Sequence, residues 1–402
     1  MAIESSPPKT GWLFMALLGV LMAFTSLSTD IYLPAMPVMQ RDLQGNVELT
    51  ITGFLIGFAL AQLIWGPVSD RIGRRKPLLI GVALFVVGSA GCALSTTLPE
   101  MVLWRMFQAF GACTGPMLAR AMVRDIYVRQ EAAQTLSTLT LVMAIAPIVG
   151  PLLGGQMIVF TTWHAIFWLL AVLGGLMWLA LRWLPETHAP ARRLTTPASG
   201  AWADYARLLR DRAFMPYTLS VTFFYVSAYA FIAGSPQVYI EHFHVDPQHY
   251  GWLFALNIVG VMIVSAINRR LVQYFSLDSL LRMSTGVAAV AMIAGVFSVA
   301  DGAALGLWGL AVPVLVFFSM NGIVAATATA AALDGVPLMA GSAAALIGSL
   351  QYGSGIVSTV LLARYGDGSP SLLVWVMAAF AVASAAMAWL TPGAARVVSQ
   401  SA

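Results

Sequence analysis

Charged side chains are scarce in this chain of 402 residues, of which Asp, Glu, Lys and Arg make up only 9%. Soluble globular domains carry about 25% of these residues, so the composition excludes most soluble classes. Disordered chains are excluded as well, because they combine low hydrophobicity with high charge, whereas 59% of this chain is hydrophobic. A helix needs about 20 apolar residues to cross a bilayer, so the chain has room for twelve spans, with roughly 160 residues left for loops.

Cysteine and lysine are also few, and each shortage removes a class of function. The two cysteines, Cys92 and Cys113, lie in apolar segments and cannot form a disulfide framework. Lys9 and Lys76 are the only lysines, and neither follows a glycine. The sequence therefore has no Walker A phosphate loop, and ATP is not the direct fuel through that motif.

What the chain does contain is a series of twelve apolar stretches, each of about 20 residues or more. They cover residues 12–34, 48–69, 78–97, 101–122, 134–158, 164–184, 214–237, 250–268, 279–300, 303–333, 339–363 and 371–391. We number them spans 1 to 12. The longest polar gap, 185–213, is predicted to be a cytoplasmic linker between an N-terminal half, residues 1–184, and a C-terminal half, residues 214–402.

The basic residues predict the orientation of the spans. If the N-terminus is cytoplasmic, 18 of the 21 Lys and Arg residues lie at or near the inside, and only Arg41 and Arg364 lie in outer loops. The reverse orientation would place those 18 outside, which the positive-inside rule strongly disfavours. Because the number of spans is even, both termini are predicted to be cytoplasmic.

The linker itself has a helical pattern of apolar residues. They are Trp202, Tyr205, Leu208 and Leu209, and they are interspersed with arginines. This spacing is typical of a short helix that lies on the membrane surface.

Two charges lie inside predicted spans. Asp30 is late in span 1 and Arg105 is early in span 4, and because these spans run in opposite directions both charges are predicted in the outer half of the membrane. A lone charge there costs roughly 2.5–3.5 kcal/mol or more, so it usually pairs or faces a cavity. The functional interpretation is a proton or substrate site, and the alternative is an ion pair that holds the two spans together. Gln108, one turn after Arg105, fits either a site or an interhelical hydrogen bond.

The loop after span 2, from Gly66 to Lys76, combines glycine, proline, acid and base. Its candidate residues are Gly66, Asp70, Arg71, Gly73 and Arg74. One interpretation is a basic cytoplasmic loop that fixes the topology. The other is that Asp70 faces the positive N-terminus of another helix and stabilises one conformation. The composition of the loop does not separate the two.

Span 5 contains a second dense group of glycines and prolines. Its candidate residues are Pro147, Gly150, Pro151 and Gly154. Prolines kink a helix, and glycines let neighbouring helices approach closely. Ordinary membrane packing is a sufficient explanation of this pattern by itself.

A pocket for a small molecule is expected to have mostly apolar and aromatic walls with a few polar groups. The residues that suit such a pocket are Asp30, Tyr32, Phe58, Gln62, Arg105, Gln108, Tyr225, Tyr229, Asn257 and Gln351. Each of them also has an alternative role in packing or in contact with lipid.

These motifs resemble those of the major facilitator superfamily, and the resemblance covers essentially the whole chain. The loop Gly66–Lys76 is similar to the signature that follows span 2 in that superfamily. Arg105–Gly111 resembles the span 4 motif of its proton-coupled members, and Pro147–Gly155 resembles the span 5 antiporter motif. Ala109 departs from the pattern, since many relatives have glycine at that place.

Other segments resemble the Bcr/CflA drug-efflux subfamily of this superfamily. Thr29–Pro37, Trp163–Trp168 and Ala340–Ala343 are similar to segments of that subfamily. Val238–Glu241 and Phe254–Val259 look closest to bicyclomycin-resistance proteins.

The resemblance implies an all-α fold of twelve transmembrane helices in two pseudo-symmetric six-helix halves around a central cavity. The implied function is proton-coupled efflux of small drug-like molecules, such as bicyclomycin- or chloramphenicol-type antibiotics, across the bacterial inner membrane by alternating access. Asp30 and Arg105 are then the proton-coupling residues, and the loop after span 2 and the span 5 motif take part in the conformational change.

The expected partners are a small hydrophobic or amphipathic drug, protons and membrane lipids, and a monomer that binds no nucleic acid is expected. No cofactor is expected, because the proton gradient supplies the energy. No metal site is expected either, because His242, His244 and His249 are loosely spaced and no cysteine joins them.

Two other functions stay open at this point. A metabolite exporter on the same scaffold would require more charged or hydrogen-bonding groups in the cavity than the sequence offers. A membrane-embedded enzyme would require a nucleophile with its base, or a metal site, at one depth in the membrane.

Overall fold

The computed structural model describes residues 11–127, 129–193, 199–300, 306–336 and 339–391. Lys9 and Arg396, which contribute to the predicted orientation, lie outside these ranges. The described chain is almost entirely helical, and these ranges contain no β-strand.

Sixteen α-helices lie in the described ranges. They are α1 Trp12–Asp30, α2 Met36–Leu43, α3 Glu48–Ile72, α4 Arg75–Leu94, α5 Leu98–Ala112, α6 Thr114–Ile126, α7 Arg129–Phe160, α8 Trp163–Ala180, α9 Ser199–Leu208, α10 Phe214–Pro236, α11 Pro247–Leu271, α12 Leu277–Ala300, α13 Gly306–Asp334, α14 Ala340–Gly353, α15 Gly355–Tyr365 and α16 Pro370–Trp389. A short 3-10 turn, Leu33–Ala35, joins α1 to α2, and a π-helix, Gln237–His242, extends α10.

Eleven helical stretches among the described residues are long and apolar enough to cross a membrane. The remaining predicted span, span 4, consists of α5 and α6, which hold 15 and 13 residues and are separated only by Cys113. Together they are long enough to cross a bilayer, at about 1.5 Å per residue. Their hydropathy is lower because the pair includes Arg105, Arg120 and Arg124. The prediction of twelve spans in an all-α fold is confirmed.

Two spans are interrupted where a hydroxyl side chain bonds to the backbone of its own helix. In span 4, Thr114 Oγ1 donates to the Gly111 carbonyl oxygen at 2.8 Å. In span 11, which consists of α14 and α15, Ser354 Oγ donates to the Gln351 carbonyl oxygen at 2.7 Å. Such bonds compete with the regular helical pattern and can bend helices, and here each lies at an interruption of a span.

Most helix packing occurs within each predicted half. Helix α1 packs against α6 and α7, and α4 packs against α5 and α8, while α10 packs against α16 and α12 against α13. Between the halves, α3 packs against α14 and α15, and α7 packs against α11. The domain boundaries at residues 184 and 214 stay a prediction.

The predicted helix of the linker is present as α9, Ser199–Leu208. Tyr205 and Leu208 are buried, and the helix packs against α14, whereas Trp202 and Leu209 are exposed. One face of α9 therefore rests on the protein. Contact of its other face with the membrane stays a prediction.

Glycines let α7 lie directly against the end of α1. A Cβ atom added to Gly154 would lie 1.6 Å from the Ile31 carbonyl oxygen, and one added to Gly150 would lie 3.4 Å from Asp30 Cβ. Helix α7 continues without interruption through Pro147 and Pro151, so the expected kink does not break the helix. The backbone of α7 thus packs against the peptide that follows Asp30.

We expect Gly154→Ala to destabilise the folded protein, because its methyl group would overlap the carbonyl of Ile31. Overpacking of this kind costs about 1–3 kcal/mol or more, so the midpoint of thermal unfolding in detergent should fall by several degrees. Gly175→Ala in α8 is the matched control, since a Cβ there meets no atom within 4 Å and should leave the midpoint unchanged. Equal midpoints for the two variants would contradict the close packing of α7 on α1.

Candidate functional site

Asp30 is the last residue of α1 and is buried, with 5% of its surface exposed. The following 3-10 turn begins at Leu33 and contains Pro34, which helps to end the regular helix at this point. No ion pair joins Asp30 to Arg105 within 4.0 Å among the described residues, although the two lie within electrostatic range. In this conformation the carboxylate is therefore buried without a directly paired cation.

Arg105 is completely buried in α5 and is held mainly by neutral groups. Its Nη1 donates to the Ser28 carbonyl oxygen at 3.0 Å and to Gln108 Oε1. The guanidinium carbon lies 4.5 Å from the ring centre of Tyr32 and 4.4 Å from that of Phe54. Since Ser28 precedes Asp30 by two residues, Arg105 fixes the last turn of α1 rather than the carboxylate itself.

The hydrogen bonds of Arg105 continue into neighbouring helices. Gln108 Nε2 donates to Ser89 Oγ at 2.8 Å, and Ser89 Oγ donates in turn to the Phe85 carbonyl oxygen at 2.7 Å. The Tyr32 hydroxyl lies 3.0 Å from Thr50 Oγ1 in α3. Gln108 thus joins α5 to α4, which is the interhelical role that the sequence left open for it, and Tyr32 joins the turn after α1 to α3.

Aromatic side chains from both halves meet between α3, α10 and α14. Phe58 stacks on Tyr352 with ring centres 3.9 Å apart, and Tyr352 lies 6.2 Å from Tyr229. Tyr229 lies 6.2 Å from Tyr225 on the same helix. The structure therefore brings three of the predicted pocket residues together and adds Tyr352 to them.

Polar groups border these rings. The Tyr225 hydroxyl lies beside the side-chain amides of Asn321 and Gln351. Gln62 Oε1 and Asn321 Oδ1 are buried and have no hydrogen-bond partner in the described part of the chain. We call the set Phe58, Gln62, Tyr225, Tyr229, Asn321, Gln351 and Tyr352 the central cluster. It combines apolar ring faces with two free hydrogen-bond acceptors.

The side-chain hydrogen bond of Asn257 does not involve the central cluster. Its Nδ2 donates to the Leu253 carbonyl oxygen in α11 at 3.3 Å, and the side chain is buried. The amide is therefore satisfied within its own helix.

The loop after span 2 forms an ionic network centred on Arg74. Arg74 lies 2.5 Å from Asp70 and 2.9 Å from Asp125, and it also donates to Ser69 Oγ at 2.8 Å. Burial alone would lower the Arg74 pKa, but the hydrogen bonds and charges of Asp125 and Asp70 outweigh it and raise this pKa above its ordinary value. The network therefore holds a charged guanidinium at the junction of α3, α4 and α6.

A carboxylate does occupy a helix N-terminus here, but it is not Asp70. Glu186 accepts hydrogen bonds from the backbone N–H groups of Arg74 and Arg75, at 2.8 Å and 3.2 Å, where α4 begins. Asp125 also accepts a hydrogen bond from Thr187 at 3.1 Å. In this conformation the linker after α8, and not Asp70, uses the positive end of a helix.

The remaining residues of the loop have different structural requirements. Gly73 has φ +93°, which L-residues rarely adopt, so glycine is required there. Arg71 donates to the Pro67 carbonyl oxygen at 2.6 Å. A Cβ atom on Gly66 would meet nothing within 4 Å, so packing in this conformation does not require glycine at that position.

Polar contacts close the bundle at the end that is predicted to face outside. They join Thr52 to Thr359, Gln40 to Gln237, Arg41 to Glu241 and Asn46 to the Ala363 carbonyl. Each contact connects the N-terminal half to the C-terminal half. The Oγ1 atoms of Thr52 and Thr359 are 2.6 Å apart and buried. The two halves thus touch on the outer side of the central cluster.

The fold and the site define the class of protein. Apolar helices form a bundle whose two sets of helices meet at an aromatic and polar cluster, with a buried charge on each of two spans. A family model described as Major Facilitator Superfamily matches residues 18–359. The chain belongs to this superfamily and is a multi-pass membrane transporter, not an enzyme.

Several proteins are similar to this chain over most of its length. An uncharacterised MFS-type transporter, YdgK of Bacillus subtilis strain 168, is 36% identical over 83% of this chain and 84% of its own. A bicyclomycin resistance protein homolog of Haemophilus influenzae is 29% identical over 94% of this chain and 95% of its own. Multidrug resistance protein D of Escherichia coli K12 is 29% identical over 90% of this chain and 92% of its own. These relatives support placement near the Bcr/CflA drug/proton antiporters.

Solved transporters share the fold at much lower sequence identity. The nucleoside transporter NupG gives a TM-score of 0.77 at 13% identity, with 94% of this chain and 100% of that one covered. A D-xylose–proton symporter gives a TM-score of 0.71 at 15% identity, with 94% of this chain and 98% of that one covered. At these identities the likeness concerns the fold alone.

We expect a disulfide between Thr52→Cys and Thr359→Cys to lock the outer side closed, because the two hydroxyls already touch. After mild oxidation, cleavage at a protease site inserted into the 185–213 linker should leave the two halves joined, and reduction should separate them. The single variants are the controls and should separate under both conditions. Failure of the double variant to cross-link would contradict the outer closure.

Proposed function

We propose that this transporter exports small drug-like molecules from the cytoplasm in exchange for protons, across a bacterial inner membrane with both termini in the cytoplasm. The names of two relatives, which refer to bicyclomycin and multidrug resistance, support drugs as the substrate class. The observation that carries the proposal is the buried carboxylate of Asp30, which lies at the end of α1 without a directly paired cation. The proposed energy source is the proton gradient, without a cofactor.

The position of Asp30 relative to the central cluster supports competition between drug and proton. The hydroxyls of Tyr229 and Tyr352 lie within electrostatic range of the Asp30 carboxylate. A change in the charge of Asp30 therefore alters the electrostatic environment in which a bound drug would lie. Proton and drug then stabilise different states of one site, which is the condition for coupling their movements.

In the proposed cycle the two halves alternate between openings on either side of the membrane. With the outer contacts closed, a drug reaches the central cluster from the cytoplasm and a proton leaves Asp30 inward. With the outer contacts broken, the drug leaves and a proton enters. Each proton contributes about 2.3 kcal/mol per 100 mV of membrane potential, in addition to any pH gradient.

An exporter of small polar metabolites is the second candidate. The central cluster offers three amides, Gln62, Asn321 and Gln351, and no carboxylate or guanidinium belongs to it. Four of its seven residues are aromatic, which suits amphipathic drugs better than sugars or amino acids. The aromatic composition therefore favours the drug proposal.

We expect Asp30→Asn to abolish drug transport driven by an imposed pH gradient in proteoliposomes, because the amide can no longer take up and release the proton. The variant should still bind drug and unfold at a temperature close to that of the original protein, since the side chains are nearly isosteric. Asp246→Asn, at an exposed outer position, is the matched control and should transport normally. Full pH-driven transport by Asp30→Asn would overturn the assignment of Asp30.

We expect Arg105→Lys to slow transport about tenfold or more, because one ammonium group cannot both reproduce the two hydrogen bonds and lie flat on two rings. Transport rates in proteoliposomes and the midpoint of thermal unfolding are measured together. Arg364→Lys, at the exposed outer end of α15, is the control and should change neither. A lower midpoint with an unchanged transport rate would make Arg105 a purely structural residue.

A further inference from the structure

Glu48 is a buried acid that the proposed transport cycle does not use. It is the first residue of α3, at the end of the bundle that is predicted to face outside. Only 5% of its surface is exposed. In the described part of the chain, its carboxylate forms no ion pair within 4.0 Å and no hydrogen bond to another residue. The protein thus contains a second buried and unpaired acid, on a different helix from Asp30.

The contacts of α3 show which way Glu48 faces. One stripe of α3, with residues at steps of three and four positions, lies against the two span 11 helices of the C-terminal half. Its contact pairs are Thr52–Thr359, Leu55–Gly355 and Ala59–Ser349. Glu48 lies one helical turn before Thr52 on the same stripe, since residues four positions apart share a face of a helix. Its side of α3 is therefore the side that meets the other half.

Contacts between the halves also lie on both sides of Glu48 along α3. Asn46, two residues earlier, donates to the Ala363 carbonyl oxygen, and Thr52, four residues later, contacts Thr359. We call this pairing of residues 46–52 with residues 359–363 the outer seam. The residues of α15 between its two contacts are Val360, Leu361 and Leu362. Glu48 is thus enclosed where the opposite helix is apolar and offers no side chain that could pair with it.

Other charged groups near the outer seam have partners of their own or are exposed. On the surrounding elements they are Arg41 and Asp42 of α2, Glu100 of α5, Glu241 and His242 of the π-helix, and Arg364 of α15, and the other outer positions are His164, His244, Asp246, His249 and Asp367. Arg41 lies 3.8 Å from Glu241, and Trp163 Nε1 donates to Asp42 at 2.8 Å. Glu100 accepts backbone N–H groups where α5 begins, and Arg364 is exposed. None of these groups forms an ion pair with Glu48 within 4.0 Å.

The burial of Glu48 depends on the closed position of the two halves. Separation of α3 from α15 would expose the carboxylate to water, and closure removes it from water again. Removal of an ionised carboxylate from water is unfavourable without a cation, and uptake of a proton avoids this penalty. The N-terminus of α3 favours the ionised form to a smaller degree. The closed and the open seam therefore differ in how strongly they bind a proton at this place.

We propose that Glu48 is a second proton-binding site, which takes up a proton from the outside as the outer seam closes and returns it to the outside as the seam opens. The proton enters and leaves on one side, so Glu48 moves no proton across the membrane. Because the closed seam binds the additional proton, external acid favours closure and external base favours opening. This inference rests on the alternating access of the proposed function and gives that movement a dependence on the external pH.

The position of the outer seam is measured first, without any drug. Spin labels on Thr161→Cys and Tyr365→Cys, which are exposed outer positions in the two halves, report the distance between the halves by double electron–electron resonance. The labels are placed in the Asp30→Asn variant, so that the acid of the proposed coupling site does not titrate. We expect the ratio of closed to open molecules to rise as the pH falls, by up to about tenfold per pH unit for one proton. Cys92 and Cys113 are buried, and the protein without the added cysteines gives the background labelling.

Three further variants identify the group that titrates. Glu48→Gln should remain mostly closed and lose most of the pH dependence, while Glu48→Asp, which keeps the carboxyl group, should retain its sign. Asp246→Asn, at an exposed outer position, should leave the dependence unchanged. Protonation of Glu241 would break its pair with Arg41 and favour opening, which is the opposite sign. An equal pH dependence with Glu48 and with Glu48→Gln would overturn the proposal, whatever the protein transports.

Transport is measured second, with Asp30 intact, in proteoliposomes with an imposed pH gradient. Glu48→Gln should slow drug transport several-fold while drug binding and the midpoint of thermal unfolding stay close to those of the original protein, because the seam opens less often. An unchanged transport rate would overturn the role of Glu48 in the cycle. If Asp30→Asn transports normally, or if the original protein moves no drug, while the label distance still responds to Glu48, the proposed function fails and the proton site at the outer seam stands.

Discussion

The arrangement of the first half depends on keeping two opposite charges inside a low-dielectric region without pairing them directly. Arg105 contacts a carbonyl, an amide and aromatic rings instead of the carboxylate of Asp30, and its Nε and Nη2 atoms have no hydrogen-bond partner among the described residues. An unpaired buried charge is costly, and ionisable residues inside a membrane therefore usually serve a function. In the proposed function, Asp30 gains and loses its proton while Arg105 holds the Ser28 carbonyl of the same helix end.

This fixed helix end also explains the tight packing of α7. The carbonyl of Ser28 is held by Arg105 on one side of α1, and the backbone after Asp30 lies against Gly150 and Gly154 on the other. Side chains at those glycines would push α1 away from α7. The span 5 glycines and the span 4 arginine thus act on the same turn of α1, although they lie more than forty residues apart in the sequence.

Span positions were predictable because length and hydropathy dominate in a membrane. The predicted span 214–237 corresponds to α10, Phe214–Pro236. The break at Cys113, where Thr114 bonds to the Gly111 carbonyl, was not predictable, because hydropathy does not show a local interruption within an apolar span. Asp30 and Arg105 stand out in the sequence as rare intramembrane charges, but the sequence does not show that they form no direct ion pair or that the rings of Tyr32 and Phe54 lie beside Arg105.

Contacts between residues that lie far apart in the sequence could not be predicted for the same reason. Glu186 reaches the start of α4 across more than one hundred residues, and nothing near Asp70 indicates it. Arg120 was counted only as a cytoplasmic charge that orients the chain. Its spacing of four residues from Arg124, among buried apolar residues, is an amphipathic pattern in the second helix of span 4.

The contacts at the outer end and the charges at the inner end have different consequences for transport. The outer contacts join one half to the other, so they must break for the site to open outward. The Arg74 network lies within the N-terminal half and its linker, so it can persist while the halves move. In the proposed cycle, movement of the halves changes which side of the membrane reaches the central cluster, while Asp30 and Arg105 stay within one half. On the proposed function, the charge of Asp30 then acts on a bound molecule in both orientations, which is how one carboxylate would couple the two fluxes.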